Sequence, residues 1–369
     1  MNEWIEQAPA LQAWIARQPP HTLIGLDTEF MRTDTFRPKL ALIQINIGGG
    51  IALLDTPQIW KEKPAEDALA ARLRDPNCLC VMHSGSEDLE ALASIVPDGP
   101  AALFDTQIAA AMSGLGTGLS YQKLVALLLG IDLPKAETRS DWLQRPLTAA
   151  QLEYAAQDVV HLPHLHALLA EKLAALDRSE WLAEDCRRLI ERVCRAVPDT
   201  QPQRAFRGAA DWPAESQALL RRVLLWRDAS ARMLDKPRPW ILDDAHALNL
   251  SAQPPRDNNE LFERSKGLRA LRSAQRQELL AVLQAPLSAD ELDFAPIPPP
   301  LTSAEKRVLA SMRDDVTAIA TKLEIPEGLL CPRRHLETLM SDRTWPAALE
   351  GWRKPLLHEV LMERMAAMT

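Results

Sequence analysis

The sequence predicts an α/β domain followed by two all-α helical bundles, and three observations predict it. The first half alternates short apolar runs with helical stretches. Two proline-rich segments, 196–213 and 286–300, interrupt the second half, the latter ending in Pro296-Ile-Pro-Pro-Pro300. Between and after them lie two stretches with helical periodicity and little strand signal. The expected domains are therefore 1–195, 210–289 and 300–369.

Within the first domain, Leu23-Ile-Gly-Leu-Asp-Thr-Glu-Phe30, Leu40-Ala-Leu-Ile-Gln-Ile-Asn-Ile47 and Ile51-Ala-Leu-Leu54 have the apolar content and length of strands. Gly48-Gly49-Gly50 supplies a hairpin turn between the second and third, because glycine tolerates positive φ. Cys78-Leu-Cys-Val-Met82 is a fourth strand, and a helix starts near Ser86. Helical patterns then dominate to about residue 195, including Leu119–Leu129 and Thr148–Ala175. The two later helical segments suggest distant repeats. Arg222-Val-Leu and Arg307-Val-Leu open similar helices, and a histidine-containing apolar pattern follows each, around 241–248 and 329–336.

Composition narrows the class. Apolar residues make up 47% and charged residues 25%, which argues against a disordered chain. No apolar run is long enough to cross a bilayer, and Met1-Asn-Glu-Trp lacks the basic-then-apolar start of a secretory signal. The five cysteines have no zinc-knuckle spacing, so a cytoplasmic chain with reduced thiols is expected. The net charge of −8 is concentrated in residues 1–175, which hold 13 basic against 21 acidic residues.

That acidity includes residues placed for chemistry. On a strand, Asp27 and Glu29 share a face, and two like charges on a central strand are costly unless a cation compensates them. Asp88, in His83-Ser-Gly-Ser-Glu-Asp88, follows a strand at a helix start, where it is either a functional acid or a cap. Asp105, in Phe104-Asp-Thr, competes as the third acid but is better suited to capping the next helix. Tyr154 and Asp158, four apart on a helix, lie one turn from each other on one face, and the chain has only two tyrosines. Four carboxylates can hold two divalent metals, with magnesium or manganese preferred in an all-oxygen site. Tyr154, with an ordinary pKa near 10, suits orienting a water better than deprotonating it.

These segments resemble a known family. Asp27-Thr-Glu-Phe, His83-Ser-Gly-Ser-Glu-Asp88 and Tyr154-Ala-Ala-Gln-Asp158 are similar to the three motifs of the DEDD exonuclease superfamily, tyrosine subtype. Leu26–Arg37, Phe104-Asp-Thr-Gln and Arg139-Ser-Asp-Trp-Leu-Gln-Arg-Pro-Leu-Thr148 resemble bacterial ribonuclease D in particular. The resemblance covers roughly residues 20–175. It implies a ribonuclease H-like mixed sheet flanked by helices and metal-dependent 3′→5′ hydrolysis releasing 5′-mononucleotides. Asp27, Glu29, Asp88 and Asp158 would be the metal ligands and Tyr154 the water-positioning residue.

Residues 215–285 resemble the helicase-and-RNase-D C-terminal (HRDC) domain, a nucleic-acid-binding bundle, and the last segment resembles it more weakly through Pro332-Arg-Arg-His-Leu-Glu337. Arg269, Arg272 and Arg276 fall at i, i+3 and i+7, either a stripe for phosphates or a solvated face. Arg32, Arg37, Lys39 and Arg139 are further candidates for RNA contact, with an ordinary surface loop the competing assignment for the first three. Trp142 either stacks on a base or anchors its loop. His161, His164 and His166 look like a metal cluster, but Pro163 interrupts them and no acidic partner is near, which favours a structural role.

The expected function is a ribonuclease D-like 3′→5′ exoribonuclease with two divalent ions. It would act on the 3′ ends of precursor tRNAs and other structured RNAs, with no membrane partner; the oligomeric state is left open by the sequence, with a monomer favoured. Two rivals remain. A free-standing 3′→5′ DNA exonuclease would prefer DNA, and a non-catalytic RNA-binding scaffold would bind without metal.

Overall fold

In the computed structural model the described residues are 2–19, 22–59, 61, 63–134, 140–195 and 197–367, with backbone alone at 63–67. Among these residues six strands form one sheet: β1 (Glu3–Ile5), β2 (Leu23–Met31), β3 (Lys39–Ile47), β4 (Gly50–Asp55), β5 (Leu79–Met82) and β6 (Leu103–Asp105). Their order is β1-β4-β3-β2-β5-β6. β2 pairs antiparallel with β3 and parallel with β5, and so occupies an interior position. The hairpin between β3 and β4 turns through Gly48 and Gly49 at φ 59° and 89°, the backbone region that selects glycine. The mixed sheet is as expected, but β1 and β6 were not foreseen. At three residues each, they are too short for alternation to show.

Helices flank the sheet: α1 (Ala8–Ala16), α2 (Thr56–Ile59), α3 (Lys63–Arg74), α4 (Ser86–Leu92), α5 (Thr106–Met112), α6 (Tyr121–Leu129), α7 (Ala149–Val160), α8 (Leu162–Ala175) and α9 (Ser179–Cys194). Local chemistry sets several starts. Ser120 caps α6, and Thr148 with Gln151 forms a capping box on α7. The expected helical stretch 148–175 is two helices. α7 ends at His161, and Pro163 enters α8 within its first turn, where its missing N–H costs nothing.

The chain divides into two compact units, one comprising 1–31, 38–196 and 304–369, the other 32–37 and 197–303. The second contains α10 (Ala214–Leu234), α11 (Arg238–Ile241), α12 (Asp244–Ala252), α13 (Asn258–Arg264), α14 (Ser273–Gln284) and α15 (Ala289–Leu292) around a core that includes Leu220, Val223, Leu250 and Leu279. The two proline-rich segments are not free linkers. Gln203 donates to the Ala295 carbonyl at 2.8 Å, and Gln217 accepts the Ile297 N–H at 2.9 Å. Backbone that cannot join a helix or sheet is thereby satisfied by buried glutamines.

The last helices are α16 (Ser303–Lys322), α17 (Glu327–Leu330), α18 (Arg333–Asp342) and α19 (Lys354–Ala366). Their local geometry repeats that of α10–α12. Asp235 and Glu324 both take the left-handed conformation just past a long helix. Pro237 and Pro326 then cap a four-residue helix, and His246 and His335 lie in the helix after it. Each residue follows its counterpart by 89 positions. The Arg222/Arg307 match is therefore out of register by one helical turn, an error that helical periodicity cannot detect.

A carboxylate cluster on the central strand

Asp27 and Glu29 project from the same face of β2 near its C-terminal end, where a bulge interrupts the β2–β3 register after Glu29. α7 packs over β2, β3 and β4 and presents Asp158 to them. Carboxylate oxygens of Asp27, Glu29 and Asp158 all lie within 4.8 Å of one another. Asp88, in the first turn of α4, is buried and accepts the Thr28 hydroxyl at 2.6 Å. Its charge reaches the other three, so the four sequence-predicted acids share one electrostatic site.

That site is unfavourable for anions alone. Burial, followed by repulsion from Asp158 and Asp88, pushes Glu29 up to about 9. Burial raises Asp158 to about 7 against the lowering effect of Tyr154, and raises Asp88 to about 6 against its hydrogen bond from Thr28. Asp27 is raised by burial and then by Asp88, Asp158 and Glu29. Among the described residues no basic side chain offsets these charges. Oxygen-only donors with unmet negative charge are what hard divalent cations take, and the cluster fits divalent metal ions.

The Tyr154 hydroxyl and the Asp158 carboxylate, one turn apart on α7, lie near enough for each to perturb the other. Burial, then the charges of Asp158 and Glu29, push the phenol well above its ordinary range, so it remains protonated. Trp142 is buried with its ring centroid 6.0 Å from that of Tyr154. Its loop is fixed by Arg145, which holds Asp55 at 2.8 and 2.9 Å and donates to the carbonyls of Ala41 and Trp142. Trp142 thus anchors its loop against the site tyrosine.

Other residues position α4 and α7. Asp105 caps α5 through the amides of Gln107 and Ile108, and also accepts the amides of Ser84 and Gly85 ahead of Asp88. Tyr121 donates to the Gln157 carbonyl at 3.0 Å and accepts the His161 amide at 3.2 Å. Asn46 donates to the carbonyls of Val159 and Val160, which would otherwise be orphaned at the end of α7. Gln44 is fully buried and lies directly opposite Asp27, hence on the same face. Sequence reasoning missed Thr28, Gln44, Asn46 and Tyr121. The available signal was the polar Gln44-x-Asn46 alternation within an otherwise apolar strand.

The remaining candidates do not converge on the carboxylates as simply. Lys39 is not in a loop: it opens β3 opposite Met31, and like Arg32 it is exposed. Arg139 lies outside the described residues. Arg269, Arg272 and Arg276 do not form one helical stripe, because α14 begins only at Ser273 with Arg272 as its cap residue. Arg269 lies over the Trp240 ring at 5.1 Å. Arg276 donates to the Leu271 carbonyl and lies over Phe262 at 5.0 Å. His166 packs edge-on against Phe104 at 4.6 Å, a structural role for part of the histidine run.

Comparison with known proteins adds independent findings. A family profile described as 3′-5′ exonuclease matches residues 2–174. Ribonuclease D of Xanthomonas oryzae pv. oryzae is 41% identical, covering 100% of this chain and 99% of that one. Ribonuclease D of Pseudomonas paraeruginosa is 33% identical over 98% and 97%. The crystal structure of Escherichia coli RNase D, described as an exoribonuclease involved in structured RNA processing, superposes with a TM-score of 0.83. It is 28% identical, with 100% of this chain and 99% of that one covered.

Proposed function

The chain belongs to the ribonuclease D family of 3′→5′ exoribonucleases, and on that premise we propose that Asp27, Glu29, Asp88 and Asp158 hold two magnesium or manganese ions while Tyr154 positions the attacking water. The observation that carries this assignment is the convergence of three carboxylates within 4.8 Å beside a protonated tyrosine. The ions would offset the clustered negative charge, acidify a water near neutral pH and stabilise the leaving oxygen.

The chain's own residues supply the geometry. Thr28 fixes the rotamer of Asp88 by occupying one carboxylate oxygen, which leaves the other for a ligand. Asp158, one turn away on α7, is placed to take the Tyr154 hydroxyl and so orient the phenol, whose oxygen lone pair can then accept a hydrogen bond from the incoming water. A phenol held in its neutral form is a poor base; it directs the water and leaves proton removal to other groups.

RNA is the substrate class. We further assign the 3′ ends of precursor tRNAs and other structured RNAs as targets, 5′-mononucleotides as products and the cytoplasm as the place of action. HRDC-like helical segments and the basic residues Arg32, Lys39, Arg139, Arg269, Arg272 and Arg276 would grip the RNA body. The deciding experiment is a time course on matched 5′-labelled RNA and DNA with magnesium or chelator, using wild type and Asp27→Ala. Shortening of RNA from its 3′ end, lost with chelator and with the substitution, is the expected result. Faster shortening of DNA, or RNA binding without any hydrolysis, would overturn it.

A further inference from the structure

A cavity of about 310 Å³ lies between α9 and the C-terminal helices, lined by four arginines and one aspartate. Two of those arginines serve the fold. Arg353 is buried and bidentate to Asp185 at 2.5 and 2.7 Å, and also donates to the carbonyls of Leu329 and Leu330. Arg188 pairs with Glu184 at 2.6 Å and donates to the Glu350 carbonyl. Arg192 of α9 and Arg334 of α18 are different. Both are exposed, and among the described residues neither guanidinium has a hydrogen-bond or acidic partner. Between them, half-buried His335 has its imidazole held below the ordinary range by burial and then by Arg334, Arg353 and Arg188. The interior is therefore electropositive, in a chain whose net charge is −8.

We propose that this cavity binds a backbone phosphate of the RNA substrate, at a point away from the bond being cut, with Arg192 and Arg334 as its clamp. The inference rests on the exoribonuclease activity proposed above. Guanidinium forks match phosphate oxygens in pairs, and the neutral imidazole of His335 adds an N–H donor without further repulsion. α9 packs on the edge strand β6, which β5 separates from β2, so the cavity is distinct from the carboxylate cluster. Because the two uncommitted arginines line the cavity and are exposed to solvent, a phosphodiester passing the cavity reaches them without a free terminus. A mononucleotide phosphate offers the same oxygens, and the experiment separates the two.

Binding of a 30-nucleotide RNA is measured in chelator across a salt series for wild type, Arg192→Gln/Arg334→Gln and Arg192→Lys/Arg334→Lys. Hydrolysis of a diribonucleotide, whose single phosphodiester is the scissile one, is followed in magnesium. The glutamine variant should bind the long RNA about 5- to 10-fold more weakly, with a salt slope lower by about 0.7 for the one phosphate no longer neutralised, and cut the dinucleotide normally. The lysine variant should recover most of the slope. An unchanged affinity and slope overturns the proposal, as does equal loss on both substrates. So does thermal stabilisation by 5′-AMP that the glutamine variant loses while its RNA affinity is unaltered, which would assign the cavity to a free phosphate monoester. Absence of dinucleotide hydrolysis by wild type would instead count against the activity itself.

Discussion

The hydroxyl of Thr28 meets the carboxylate of Asp88 at 2.6 Å, joining the central strand to the helix that follows β5. The bond is buried, and it lowers the pKa of Asp88 against the upward push of desolvation. Thr28→Val keeps the β-branched shape and removes the donor. A hydrogen bond to a charged group is worth about 1.5–3 kcal/mol, which predicts roughly a 10- to 100-fold loss in metal affinity or turnover. Magnesium titration of the rate separates the two. RNA affinity in chelator should not change.

Tyr154 contributes a hydroxyl and is not expected to ionise. Tyr154→Phe should lower kcat by about 10²-fold, in the range of a positioned proton-handling group, and leave RNA affinity in chelator within about twofold. Equal losses in rate and binding would place the residue in substrate recognition. Because burial and the neighbouring carboxylates push the phenol upward, the wild-type rate should show no phenol titration near pH 10.

The catalytic half of the architecture was legible because its signals are local. Apolar runs marked β2 to β5, glycines marked the hairpin, and Asp27, Glu29, Tyr154 and Asp158 revealed shared faces by their spacing of two and four. What stayed hidden depends on long-range contacts. Thr28 is a good strand residue whatever it touches, and only the fold places it against a carboxylate 60 positions away. Tyr121 likewise holds the end of α7 from 36 residues upstream. The arginine triplet 269–276 illustrates the converse: a periodic pattern is no helical face when the helix begins in its midst.

Metal removal should make stability pH-dependent in a definite direction. The carboxyls of Glu29, Asp158 and Asp88 are raised in the fold, so between roughly pH 4 and 9 the native state binds more protons than the unfolded chain, and unfolding free energy falls as pH rises. In chelator, Tm of the wild type should therefore decline from pH 5 to pH 9 more steeply than Tm of Glu29→Gln, which has no charge to suppress. Magnesium at pH 8 should raise wild-type Tm, since a ligand bound only by the native state stabilises it. A wild-type Tm that rises over this range relative to the variant would contradict the electrostatics of the cluster.

The buried Asp185–Arg353 pair predicts how the last helices depend on the sheet-bearing segment. Asp185 also accepts the Trp352 indole N–H at 3.1 Å, while Trp352 stacks on Trp181 with ring centroids 4.4 Å apart. Next to them, Gly351 sits at φ 68° with the Glu184 carboxylate occupying the place of a Cβ, so the chain approaches α9 closely. Asp185→Ala would strand a buried guanidinium, at a cost of about 3–5 kcal/mol. Asp185→Leu/Arg353→Met removes both charges and should cost less, because no unpaired charge stays behind. Calorimetry should show one transition moved to lower temperature for 304–369 together with the exonuclease sheet, since α9 belongs to both packing layers. An early transition for the C-terminal helices, with the main one unmoved, would mean that the pair secures those helices and contributes nothing to the sheet.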